Sequence, residues 1–127
     1  MKLRLRENSI RLRLLKSEVD QLRETGNVSE TITLGVKPTE QFIYAVRISD
    51  DLNNVQAQML NNHLEVFLPV AEVEFWMNND DEVGIYAVQS VSSDIDLNIA
   101  IEKDFACLTR PEDLDNRDAF PNPEKEC

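Results

Sequence analysis

Residues 2–15 read Lys-Leu-Arg-Leu-Arg-Glu-Asn-Ser-Ile-Arg-Leu-Arg-Leu-Leu, an alternation of apolar and basic side chains with a period of two. Successive side chains of a strand point to opposite faces, so this pattern buries one face on leucine and turns a row of cations to the other. The phase flips midway, because Leu3 and Leu5 hold odd positions and Leu12 and Leu14 even ones. Either a turn at Asn8-Ser9 folds the segment into a hairpin, or a bulge re-phases one long strand. A two-residue loop at that point sets Arg6 opposite Arg11, Arg4 opposite Arg13 and Leu5 opposite Leu12. Both alternatives gather the arginines on one face.

Downstream, Ser17 reads as the N-cap of a helix, with Asp20 at the third helical position and Gly26 as the left-handed stop. Val19, Leu22 and Leu15 are its core-facing residues. Val28–Leu34 and Phe42–Ile48 alternate as strands, the second with Phe42, Tyr44, Val46 and Ile48 on one side. Asn61-Asn62 has the composition of a type I′ turn between Val55–Leu60 and His63–Leu68, and a two-residue loop there aligns Val55, Ala57 and Met59 with Leu68, Val66 and Leu64. Pro69 suits the first position of a second helix on which Val70, Val73, Trp76 and Met77 recur at helical spacing. Val83–Gln89 and Ile95–Lys103 complete the strands.

The implied class is α+β: a largely antiparallel sheet or open barrel of seven or eight strands, with two short helices on one face. The order strand-strand-helix-strand-strand occurs twice, offset by about 53 positions, which suggests an internal duplication. At 127 residues the chain has room for one domain, placed at residues 1–108. Residues 109–127, acidic and containing Pro111, Pro121 and Pro123, read as a tail that Phe120 pins to the body.

Charge is distributed unevenly. The chain carries 24 acidic and 13 basic residues for a net charge of −11, which opposes binding to nucleic acid or to an anionic membrane surface. Yet residues 1–23 hold seven basic and three acidic side chains, or +4, and the remaining 104 residues carry −15. No secretory pattern follows Met1 and no apolar run approaches membrane-spanning length, so a cytoplasmic protein is expected, with Cys107 and Cys127 as reduced thiols. These two thiols and the single His63 have no metal-binding spacing.

Adjacent like charges on a strand face require counter-charge. For Arg4, Arg6, Arg11 and Arg13 it has three sources: the chain's own carboxylates, a second subunit, or a phosphate-like ligand held by guanidinium forks. The first is the simplest, since Asp94, Asp96, Glu102, Asp104 and the tail are covalently attached. Asp96, Glu102 and Asp104 share one parity, so they are also candidate ligands for a divalent cation that would face a phosphate. Without that ion no cofactor is implied. Lys103, on the other parity, reads as a core-edge cation reaching to solvent. Only three glycines are present, which excludes a Gly-rich phosphate loop.

The N-terminal Lys-Leu-Arg-Leu-Arg-Glu-Asn-Ser-Ile-Arg-Leu-Arg-Leu, together with Glu102–Leu108 and Ala119–Pro123, resembles a small uncharacterised bacterial family of unknown function; the likeness spans nearly the whole chain and implies no activity. If residues 2–15 form one bulged strand, the order of elements also resembles the CYTH or triphosphate tunnel fold. That resemblance implies a duplicated antiparallel barrel with a charged lumen. Its Glu-x-Glu-x-Lys motif is replaced here by Lys2-Leu3-Arg4-Leu5-Arg6, and Glu72-Val73-Glu74 lies on the second predicted helix, so none of that family's metal ligands carries over. The leading expectation is a non-enzymatic binding domain whose arginine face takes a phosphate-type small molecule or an acidic protein segment. A metal-dependent hydrolase of a phosphorylated compound and a structural homodimer are the alternatives.

Overall fold

The computed structural model describes residues 1–105 and 118–121. Cys107, Cys127 and most of the predicted tail lie outside the described residues. Eleven elements follow one another: β1 (Lys2–Arg6), β2 (Ser9–Leu14), α1 (Lys16–Thr25), β3 (Asn27–Thr33), a 3-10 turn (Pro38–Glu40), β4 (Gln41–Ser49), β5 (Gln56–Leu60), β6 (His63–Pro69), α2 (Val70–Asn78), β7 (Gly84–Ser90) and β8 (Asp96–Lys103). The fold is α+β, with the strands divided into two four-stranded sheets of order β1-β2-β8-β7 and β3-β4-β6-β5. Each sheet has antiparallel outer pairs and a parallel central pair, β2 with β8 and β4 with β6.

The N-terminal segment is a hairpin, with its turn one residue earlier than the sequence suggested. Leu3 pairs with Leu12, Leu5 with Ile10 and Arg4 with Arg11, around Glu7 at φ 52°. This register pairs Ile10 with Leu5 on the apolar face, whereas the Asn8-Ser9 turn would have set it opposite Glu7. Asn61 and Asn62 are both left-handed, at φ 50° and 66°, and Ala57 and Met59 stand opposite Val66 and Leu64 as expected.

Helix α1 begins at Lys16 and not after a Ser17 cap. Glu18 Oε1 accepts from Leu15 N at 2.9 Å, and the free amide of Ser17 is capped from afar, by Asp118 Oδ1 at 3.0 Å. A carboxylate at a helix N-terminus satisfies an orphan N–H and complements the helix dipole. Gly26 ends the helix at φ 76°, as its lack of Cβ permits. Pro69 immediately precedes α2 and is not its first residue.

The core lies between the sheets and beneath the helices. Leu12, Leu14, Val46, Val66, Leu68 and Ile101 are fully buried from the strands, joined by Val19 and Leu22 of α1 and Val73 and Trp76 of α2. Truncating one of these leucines to alanine costs about 2–5 kcal/mol. Among the described residues the strands do not close into a barrel, and this interior is apolar, so the charged lumen of a tunnel fold is absent. The arginines face outward.

Side chains join the sheets where their edge strands meet. At the β1/β3 seam the Met1 ammonium donates to Glu18 Oε2 at 2.5 Å and to Glu30, and the Tyr44 hydroxyl lies 2.9 Å from Met1 O and 3.1 Å from Glu30 Oε2. Burial opposes the charge on Met1, but the two carboxylates outweigh it and raise the amine above its ordinary 8.0. Burial likewise opposes ionisation of Glu30, and the ammonium and the Tyr44 hydroxyl overcome it, leaving that carboxyl below 4.5. At the β7/β5 seam the side chain of Gln89 bonds the backbone of Ala57.

The two ββαββ halves are related by the topology. Applying the order β1, β2, α1, β3, β4 to β5, β6, α2, β7, β8 converts one sheet order into the other read backwards. The hairpins Lys2–Leu14 and Gln56–Pro69 coincide at an offset of 54 positions. The duplicated order seen in the sequence is therefore present in three dimensions.

Residues 118–121 return to the body. Phe120 N donates to Asp104 O at 2.9 Å, and the Phe120 ring meets Phe105 edge-on with centroids 6.1 Å apart. Beneath it lies Lys103, which is buried and does not reach solvent: its Nζ donates to Asn79 O at 2.8 Å, between the rings of Trp76 and Phe120. Burial lowers its pKa, against the pull of Asp80, Glu82 and Asp81.

Candidate functional site

The outer face of the β1-β2-β8-β7 sheet consists of three aligned rows of side chains. The first is Lys2, Arg13, Glu102 and Gly84; the second Arg4, Arg11, Ala100 and Tyr86; the third Arg6, Ser9, Asn98 and Val88. With strands about 4.8 Å apart, each row runs about 14 Å from the basic edge of the sheet to its apolar edge. All four candidate arginines are on this face.

The cations around the first row are largely neutralised by the chain's own carboxylates. Arg11 Nε lies 3.2 Å and Arg13 Nε 3.5 Å from Glu102 Oε1, and Tyr86 Oη donates to Glu102 Oε2 at 2.7 Å. Lys2 Nζ lies 3.0 Å from Asp104 Oδ2. One carboxylate thus serves two guanidinium groups, and neither approach has hydrogen-bond alignment, since Glu102 Oε1 has no hydrogen-bond partner among the described residues. Burial, the bond to Glu102 and that carboxylate's charge push the Tyr86 phenol up to about 12, with Arg11 and Arg13 pulling the other way.

Arg4 and Arg6 differ from Arg11 and Arg13. Both are exposed, and neither forms an ion pair with a described residue. They stand beside Arg11 along an open trough of about 450 Å³, whose opposite wall is Tyr86 and Val88 and whose middle carries Ser9, Asn98 and Ala100. Ala100 makes the depression, since it is the small residue between Arg11 and Tyr86 in the central row. A hollow of about 790 Å³ lies along another side of β7, and its charged residues, Asp51 and Glu72, are both acidic.

The carboxylate trio does not assemble. Asp96 is six positions from Glu102 on the same strand, or about 20 Å along it. Glu102 is engaged by Arg11, Arg13 and Tyr86, and Asp104 faces Lys2. Among the described residues no three His, Cys, Asp or Glu side chains come together in a way that could hold a metal ion.

Tyr86, Val88, Asn98 and Ala100 were not candidates from the sequence. A signal existed in Gly84–Ser90, where Ile85 and Ala87 take the core-facing parity and yet Tyr86 and Val88 on the solvent parity are also apolar; they are 60% and 64% exposed. An apolar outer row on an edge strand has no packing role within the chain.

Fold and site together define a small α+β protein of two mixed sheets, with a half-neutralised basic trough on one outer face. The chain belongs to the family of unknown function DUF7009, whose model matches residues 1–124. No curated protein and no solved structure matches it significantly. No helix among the described residues is long and apolar enough to cross a membrane.

Proposed function

We propose that the protein is a binding module that takes a small phosphate-type anion in the trough beside Arg4, Arg6 and Arg11. The observation carrying this reading is that Arg4 and Arg6 stand next to two further arginines with no acidic side chain of a described residue within ion-pair distance. Guanidinium groups on neighbouring strands repel one another, and a multiply charged oxyanion is the ligand their planar forks match. Glu102 is engaged by Arg11 and Arg13, and Asp96 stands about 20 Å away along the same strand, so the reading is one of binding and not of metal-assisted hydrolysis.

Thermal unfolding with inorganic phosphate and pyrophosphate tests it. An anion at about 100 times its dissociation constant adds about 2.7 kcal/mol to the wild-type chain. That gain disappears in the R4Q/R6Q double variant. An equal gain in both proteins, or none in either, contradicts the proposal. Stabilisation by a poly-glutamate peptide alone would assign the face to an acidic protein segment instead.

A further inference from the structure

The trough has two unlike walls, and from them we infer its ligand class: a phosphorylated compound with a flat ring, the ring lying on Tyr86 and Val88 and the phosphate at Arg4, Arg6 and Arg11. This rests on the anion reading above and narrows it.

The apolar wall is prearranged. The Tyr86 ring is held by its hydroxyl on Glu102 Oε2 at 2.7 Å, and Gly84 makes the space for it, since a Cβ there would come within 2.9 Å of that hydroxyl and 2.8 Å of Ile101 O. The ring remains more than half exposed, and Val88 continues the same apolar surface on the next row. A fixed aromatic beside an exposed aliphatic is a stacking platform that loses little freedom when a ring settles on it.

The two walls are separated by a polar middle. In the central row Tyr86 lies two strands from Arg11, about 10 Å between backbones. Between them, Asn98 makes no side-chain hydrogen bond with a described residue, and Ala100 leaves room above the sheet. A ligand spanning the trough therefore needs a ring at one end, hydroxyl or ether groups in the middle and an anion at the other. A nucleoside monophosphate has this order of groups. The hollow of about 450 Å³ falls in the range of small-molecule sites. A nucleic-acid polymer is a poor occupant, because its many phosphates would meet a chain of net charge −11.

Titration calorimetry with inorganic phosphate, ribose 5-phosphate and adenosine monophosphate separates the two levels of the argument. The nucleotide binds the wild type about tenfold or more tighter than ribose 5-phosphate, the scale of one base stacked on one aromatic side chain. Tyr86→Ser and, independently, Val88→Ser reduce that ratio towards one, and Tyr86→Phe, which keeps the ring but loses the hydroxyl that holds it, gives a ratio between those of Tyr86→Ser and the wild type. R4Q/R6Q weakens all three. Equal binding of nucleotide and sugar phosphate by the wild type would overturn the ring assignment and leave the anion reading standing. Failure of every phosphate compound to bind would remove the anion reading itself.

Discussion

The side-chain amide of Gln89 pairs with both backbone groups of Ala57, accepting from Ala57 N at 2.7 Å and donating to Ala57 O at 3.0 Å. It occupies the place of a neighbouring strand's peptide group where β7 is tied to β5. Ala57 is buried, so removing the amide leaves a donor and an acceptor without water to replace it. Gln89→Ala is therefore expected to cost about 1–3 kcal/mol, seen as a lower urea midpoint at unchanged slope. Gln89→Glu should be no better, since a carboxylate cannot donate to Ala57 O. An unchanged midpoint in both variants would show that the seam is held elsewhere.

The opposite seam predicts a plateau in stability with pH. The Met1 amine is raised in the folded state, so its contribution is complete below pH 8.0 and is lost as pH rises through its folded value. Glu30 is lowered, so its contribution is complete above pH 4.5 and is lost as pH falls through its folded value. Urea midpoints should be level between these limits and decline outside them. Glu18→Gln, which weakens one arm of the clamp, should lower the plateau by about 1–3 kcal/mol and reduce the alkaline decline. A variant with the wild-type alkaline profile would refute the role given to Met1.

Both tyrosines of the chain ionise late. Tyr44 and Tyr86 are each pushed up to about 12, by burial first and then by Glu30 and Glu102 respectively. A spectroscopic titration of the folded protein should show almost no tyrosinate at pH 10, and Tyr86→Phe should halve the signal that appears near 12. Gly84→Ala, which crowds the Tyr86 hydroxyl, should release one tyrosine to titrate earlier.

Arg4 works against the fold that carries it. It stands directly opposite Arg11, and like charges so placed cost a few tenths to about 1 kcal/mol. Arg4→Gln should leave the melting temperature in low salt unchanged or raised, with the difference shrinking as salt is added. Marked destabilisation would mean that the guanidinium has a structural partner.

Much of this was legible where structure is set by near neighbours. The leucine-arginine alternation, the Asn61-Asn62 turn and Gly26 each act within a few residues, and each appears where the sequence placed it. The misplacements share another cause. Ser17 was read as its own cap because Asp118, which serves it, lies 101 positions away. The first turn slipped by one residue because either turn keeps Ile10 in phase with Leu12 and Leu14, and the strand that flanks β2 on its other side, β8, lies far along the chain. The site was half legible for the same reason. Its arginines lie close together in the sequence, whereas Tyr86 joins their row only through two strand pairings.

The exchange of hairpins between the sheets has a consequence for how the chain must fold. Each sheet takes one hairpin from the first ββαββ half and one from the second, so neither half owns a complete layer. Half a molecule would present two hairpins lacking their parallel partners, and the two central pairings differ in reach: Ile43 and His63 are 20 positions apart, whereas Ser9 and Asn98 are 89 apart. The molecule is in effect an intertwined dimer on a single thread. Severed in the segment 50–55 that joins the halves, it should survive as two fragments that recognise each other and fold only together.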